Sequence, residues 1–117
     1  MSLNRVEDDL INEVKLSPLE AKVFLLVTTG GKMQVDKIAE NLGIDNNEAL
    51  ATAKKLVDFG GFIDISPTEF EAMHPRFTAV NMYRKMCLRE NITFKKNLVV
   101  DNIGVALEKY YDHARTK

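Results

Sequence analysis

Cysteine occurs once in the 117 residues, as Cys87. A single thiol excludes an internal disulfide and any zinc site built from several cysteines, and it suits a reduced, intracellular setting. Long apolar runs are also missing. Val23-Phe24-Leu25-Leu26-Val27 is only five residues, where a membrane span needs roughly 20. The first residues carry Arg5, Glu7, Asp8 and Asp9 and no apolar stretch of signal-peptide length. The expectation is a soluble cytoplasmic protein with no membrane partner. Neither sign of charge dominates: 16 Lys and Arg stand against 17 Asp and Glu, a net charge of -1. That excludes a histone-like polycation but not a local basic patch. His74 and His113 lie far apart, with no carboxylate at metal-ligand spacing, so no metal is expected. There is no glycine-rich phosphate loop, and no serine, cysteine or carboxylate has an evident partner base. Neither enzymatic activity nor a cofactor is expected.

What is present is globular. Hydrophobic residues are 45% and charged residues 28% of the chain, values outside the disordered class. The length suits one domain with an appended helix. Charge is uneven. Between residues 76 and 96 stand Arg76, Arg84, Lys85, Arg89, Lys95 and Lys96 against Glu90 alone.

Leu3, Val6, Leu10, Ile11 and Val14 recur at three or four and predict a short amphipathic helix over 3–14. Ser17-Pro18-Leu19-Glu20 is a helix start, with Ser17 as cap, Glu20 reaching back and Pro18 needing no amide partner. Leu19, Val23, Leu26 and Val27 predict its buried face, and Gly30-Gly31 its end. Lys32 to Val35 leaves room for a single bridging strand. Asp36 is expected to cap a second helix, with Ile38, Ala39 and Leu42 inward and Gly43 closing it. Asp45-Asn46-Asn47-Glu48 reads as another capping box. The helix it opens runs to about Phe59, with Leu50, Ala53, Leu56 and Val57 inward, and stops at Gly60-Gly61. Gly43, Ile44 and Asp45 alone separate these two helices, which is the helix-turn-helix connection.

After Gly61 the period becomes two. Phe62, Asp64 and Ser66 lie on one side, Ile63 and Ile65 on the other, and Phe70 to Met73 return after the turn at Pro67-Thr68-Glu69. A hairpin in this place is a wing. Pro75 starts a further helix with Phe77, Val80, Tyr83, Met86 and Cys87 apolar, interrupted at Asn91 and Thr93. A last helix is predicted over about 94–115. The expected fold is mainly α with a small β-wing: a winged helix-turn-helix plus a long C-terminal dimerisation helix. Its divisions are an N-terminal helix (1–15), the winged domain (16–75) and a helical dimerisation region (76–117).

Three segments carry a resemblance. They are "LSPLEAKVFLLV", "VDKIAENLGI" and "ALATAKKLVDFGGFIDI". Residues 16 to about 74 resemble the DNA-binding domain of archaeal TrmB-like and MarR-like transcription regulators. The C-terminal part is similar to small archaeal regulators in which a long last helix pairs with its twin. The resemblance implies that the helix at about 46–59 enters the major groove of duplex DNA, that the wing lies along the backbone, and that the chain is a homodimer.

On the predicted recognition helix, Asn46, Asn47 and Thr52 suit base edges or phosphates, Ala51 a thymine methyl, and Lys54 and Lys55 phosphates. Lys37 on the preceding helix joins these candidates. Arg84, Lys85 and Arg89 are candidates for flanking phosphate contacts or for a solvated helix face. The wing offers Asp64, Glu69 and Glu71 and no Lys or Arg between Gly61 and His74. An acidic wing suits a structural or protein-binding part, so the alternative is a protein-interaction module inside a larger assembly. Cys87, between Met86 and Leu88, reads as a buried, inert thiol, and both histidines as polar surface groups. Val99, Ile103, Ala106 and Tyr110 form a seam of alternating four and three, widened by Val100, Leu107, Tyr111 and Ala114. This stripe is the expected dimer interface, and its width predicts that it also touches Leu3, Val6 and Leu10 of its own chain.

Overall fold

The serine at position 17 organises the longest-buried part of the chain. In the computed structural model, which describes residues 3–115, its Oγ accepts from the Glu20 amide at 3.1 Å, and Glu20 Oε1 accepts from the Ser17 amide at 2.8 Å. Met1, Ser2, Thr116 and Lys117 lie outside the described residues. Helix α2 (Pro18–Gly30) follows this box and ends at Gly31, whose φ of 91° a side chain would resist. It is buried on almost every side: Ala21, Val23, Phe24, Leu25, Val27 and Thr28 are all inside. The spacing alone gave a one-sided stripe, with Leu19 and Leu26 in it. Those two are only partly buried, while Phe24 and Leu25 are covered, because α2 has packed elements on several sides.

Those elements are α1 (Leu3–Glu13), α3 (Val35–Leu42), α4 (Asn46–Phe59), strand β3 (Glu69–Ala72) and α6 (Leu98–Arg115). Strand β1 (Met33–Gln34) pairs antiparallel with β3, and β3 pairs with β2 (Phe62–Ser66), giving the order β1-β3-β2. Helix α5 (Pro75–Glu90) joins the sheet to α6. The molecule is thus mainly helical with a small three-stranded antiparallel sheet. The Phe62 ring centroid lies 6.1 Å from that of Phe24 and 6.4 Å from that of Phe70, which ties the β2–β3 hairpin to α2. Ile63 and Ile65 point outward, and the β2–β3 register slips between Asp64 and Ser66, so Ile65 occupies a bulge.

Two helix starts, those of α3 and α6, differ in detail from expectation. Helix α3 begins at Val35, one residue before Asp36, with Gln34 in the cap position. The Val35 amide is taken by Thr68 O at 2.8 Å, so Asp36 falls inside the first turn and accepts from Lys37 N at 2.9 Å. Helix α5 starts at Pro75 as expected, but His74 serves as its cap: His74 Nδ1 accepts from the Arg76 amide at 3.2 Å. His74 is half-buried against Tyr111, with ring centroids 5.2 Å apart, and is not a free surface group. Helix α6 starts at Leu98 and not near residue 94. Asn97 Oδ1 accepts from the Val99 and Val100 amides at 3.0 and 3.2 Å, while its Nδ2 donates to Glu13 at 3.0 Å. An asparagine cap bound to α1 sets the boundary that periodicity could not.

The largest departure is the face of α6. Val100, Ile103, Leu107 and Tyr111 are buried within their own chain, where α6 packs on α5, α2 and α1. Val6 and Leu10 of α1 lie in the same core. Ala106 and Tyr110 are half-buried, and of the predicted dimer residues only Val99 is exposed. A second chain has no access to Val100, Ile103, Leu107 or Tyr111 unless α6 leaves its own core. Gly104 explains the close packing: a Cβ there would stand 2.7 Å from Arg76 Cα and 3.1 Å from Pro75 O. The backbones of α5 and α6 touch at this glycine. Arg76 and Glu108 (3.2 Å) and Arg115 and Glu71 (3.0 Å) pair across the same face.

Candidate nucleic-acid interface

Helix α4 owes its start to Asp45, whose Oδ1 accepts from Glu48 N at 2.7 Å. It ends at Gly60 with φ 89°. Gly43, with φ 66°, makes the turn from α3. Ala49, Ala53 and Leu56 face inward and Leu50 and Val57 are half-buried, a stripe rotated slightly from the expected one. The opposite face carries Asn46, Asn47, Ala51, Lys54, Lys55 and Asp58, all exposed. Lys37 is exposed on α3 and stands 3.8 Å from Glu40, a surface pair of little strength. Thr52 departs from this set. It is half-buried, and its hydroxyl donates to Glu48 O at 2.8 Å, so its proton is used inside the helix.

The basic stretch of α5 is brought to the C-terminal end of α4 by three contacts. The Arg89 guanidinium lies 4.2 Å from the centre of the Phe59 ring. Lys85 lays its methylenes beside Gly60. Asn81 Nδ2 donates to Gly60 O at 3.1 Å, and Arg84 donates to Asn81 Oδ1 at 2.6 Å. Cations are favoured at a helix C-terminus, where unpaired carbonyls concentrate negative potential. Lys55 precedes Phe59 by one turn and shares its side of α4, so Lys55, Lys85 and Arg89 stand toward one edge at the C-terminal end of α4, while Glu48, also exposed, lies on the same side two turns before Lys55. Lys95 and Lys96 lie beyond it in the 91–97 connection, and Lys96 pairs with Asp101 at 3.1 Å. Asn81 and Phe59, which position this edge, have no signal in the sequence: they act across more than twenty residues of chain.

The other flank of α4 has the opposite character. Between α4 and the hairpin runs an open cleft of about 620 Å³ lined by Lys54, Val57, Asp58, Asp64, Ile65 and Pro67 among others. Two aspartates face one lysine over an apolar floor. Lys54 therefore stands toward the hairpin and Lys55 toward α5. Cys87 is buried in the core. Among the described residues no group of three or more His, Cys, Asp or Glu is placed to hold a metal ion, and no helix is long and apolar enough to cross a membrane. No protein-family model, characterised protein or solved structure matches this chain.

Proposed function

We propose that the chain is a winged helix-turn-helix transcription regulator that binds duplex DNA through α4, as a two-fold pair. One observation carries this reading: α4 follows α3 across a three-residue turn and leaves a whole face uncovered, with asparagines at its N-terminal end and a cationic edge at its C-terminal end. Asn46 and Asn47, in the first turn, suit base edges, as the N-terminal residues of a recognition helix do. Ala51 permits close approach. Lys54 and Lys55, with Lys85 and Arg89 behind them, suit phosphates. The β2–β3 hairpin takes the position of the wing, but its acidity makes it a poor partner for the backbone.

The test is an anisotropy titration against random-sequence duplex at low and moderate salt. Lys54→Glu with Lys55→Glu should weaken binding and lower the log–log salt slope by about one to two units. Unchanged affinity in a folded double variant removes α4 from the interface. Failure of the wild type to bind even at low salt favours the second reading, a protein-interaction module. The cleft flanked by Asp58 and Asp64 supports that alternative, because an apolar floor with acidic walls suits a basic peptide better than DNA.

A further inference from the structure

We propose that a second copy of this chain covers the corner made by the end of α5, the 91–97 connection and the start of α6. This names the surface for the two-fold pairing proposed above; it rests on that pairing and not on DNA binding. Of the ten exposed large apolar residues among the described residues, five fall within 88–99: Leu88 (72% exposed), Leu98 (67%), Ile92 and Phe94 (47% each) and Val99 (37%). None of them belongs to the buried face of α6. The corner is held in place before any partner arrives. Asn91 takes the left-handed conformation with φ 57°, and the Ile92 amide donates to Cys87 O at 2.9 Å, which closes α5 and folds Ile92 back on it. The Phe94 ring lies 5.9 Å from that of Tyr83. Asn97 ties the other end to Glu13. Pairing a preordered surface loses little conformational freedom.

The area fits a small dimer. At roughly 150–200 Å² for a large apolar residue, the five exposures leave about 500 Å² of apolar surface in water on one chain. Two such corners give about 1,000 Å², and a polar rim carries the total into the standard interface range of roughly 1,200–2,000 Å². The charges fit self-pairing as well. Lys96 is neutralised by Asp101. Glu90 and Lys95 are both exposed, and neither belongs to an ion pair among the described residues. In a two-fold interface a contact between residue i and residue j occurs twice, so one Glu90–Lys95 match between copies serves both chains. A uniformly charged corner would repel its twin; this one sets Glu90 beside Arg89, which lies over the Phe59 ring, and Lys95, so both signs are present.

The experiment is light scattering on the full chain without DNA, from about 1 to 100 µM, a range spanning typical weak-dimer constants. The wild type should show twice the chain mass of 13.2 kDa. Leu88→Glu with Leu98→Glu should be monomeric throughout and still unfold cooperatively, because both side chains stand largely in water in the single chain, with a transition below that of the wild type only by what pairing adds. Glu90→Lys alone should weaken pairing by roughly threefold or more, and adding Lys95→Glu should restore it. A wild type that stays monomeric at the upper concentration overturns both the pairing and its surface. A dimer that survives the Leu88 and Leu98 changes overturns the surface and leaves the pairing. Dimerisation without DNA binding overturns the proposed function alone.

Discussion

Alanine at position 104 should reverse the usual order of helix propensities. Gly104 lies in the middle of α6, and in an exposed helix replacing glycine by alanine stabilises by roughly 0.5–1 kcal/mol. Here the new methyl would meet Arg76 Cα at 2.7 Å, Arg76 N at 3.1 Å and Pro75 O at 3.1 Å. All three are backbone atoms, so no side chain can swing aside. Ordinary carbon contacts begin near 3.5 Å, so α5 must retreat by something under about 1 Å. That retreat would strain the His74 cap and the Arg76–Glu108 pair. Overpacking of this kind costs about 1–3 kcal/mol. The net loss is then about 1–2 kcal/mol, or a fall in melting temperature of roughly 4–8 °C for a chain of this size. Thermal and urea denaturation would measure it. Asn102→Ala, an exposed position on the same helix, is the control and should be neutral or slightly stabilising. A Gly104→Ala protein as stable as the wild type would refute the close α5–α6 contact, and with it the argument that α6 is committed to its own chain.

Leu107→Ala removes a fully buried side chain and should cost about 2–5 kcal/mol in urea denaturation, by the same amount in the Leu88→Glu, Leu98→Glu background as in the wild type. Ile103→Asp should abolish the cooperative transition altogether, since it buries a charge without a partner; folded monomers of Ile103→Asp would instead favour the sequence-predicted seam. Asp64→Lys should change the affinity for random duplex and the salt slope little, because the acidic hairpin stands off the backbone. Tighter binding with a slope steeper by about one unit would instead place the hairpin against DNA.

The parts of the fold that were legible from sequence are those written in local chemistry. Ser17 with Glu20, Asp45 before Asn46, and the glycines at 31, 43 and 60 mark helix ends because caps and left-handed turns need particular residues within three or four positions. The change of period after Gly61 likewise found the hairpin. What could not be read in full was which surface an apolar stripe meets. The width of the α6 stripe pointed to α1 as one partner, and α1 is one; but Val100, Ile103, Leu107 and Tyr111 turn to α2 and α5 as well, and spacing does not say that these take the place of a second chain. Gly104 offers no signal in the helical pattern, yet it is the contact that permits this packing. The exposed residues of α4 were legible, except Thr52, because a helix with three clear core positions fixes its opposite face. The basic stretch of α5 was legible as a candidate flank, but its seat at the end of α4 was not, since Arg89 reaches Phe59 across thirty residues.

The two flanks of α4 differ in charge, and on the proposed reading that difference sets how the helix would lie on a duplex. A helix in the major groove has a phosphate backbone on either side. On one side α4 offers Lys55, with Lys85 and Arg89 fixed beside it by Gly60 and Phe59. On the other it offers Lys54 in a cleft with Asp58 and Asp64. Phosphates are attracted to the first edge and repelled from much of the second. A symmetric seat, with the hairpin and α5 equally close to DNA, is therefore unfavourable. The helix should roll toward α5, so that the Arg89 edge approaches its strand and the hairpin is lifted from the other. Lys54 then gains less from DNA than Lys55, because its nearest charges are the aspartates of its own chain. Single reversals separate the two: Lys55→Glu should weaken duplex binding more than Lys54→Glu, and equal effects would argue for a symmetric seat.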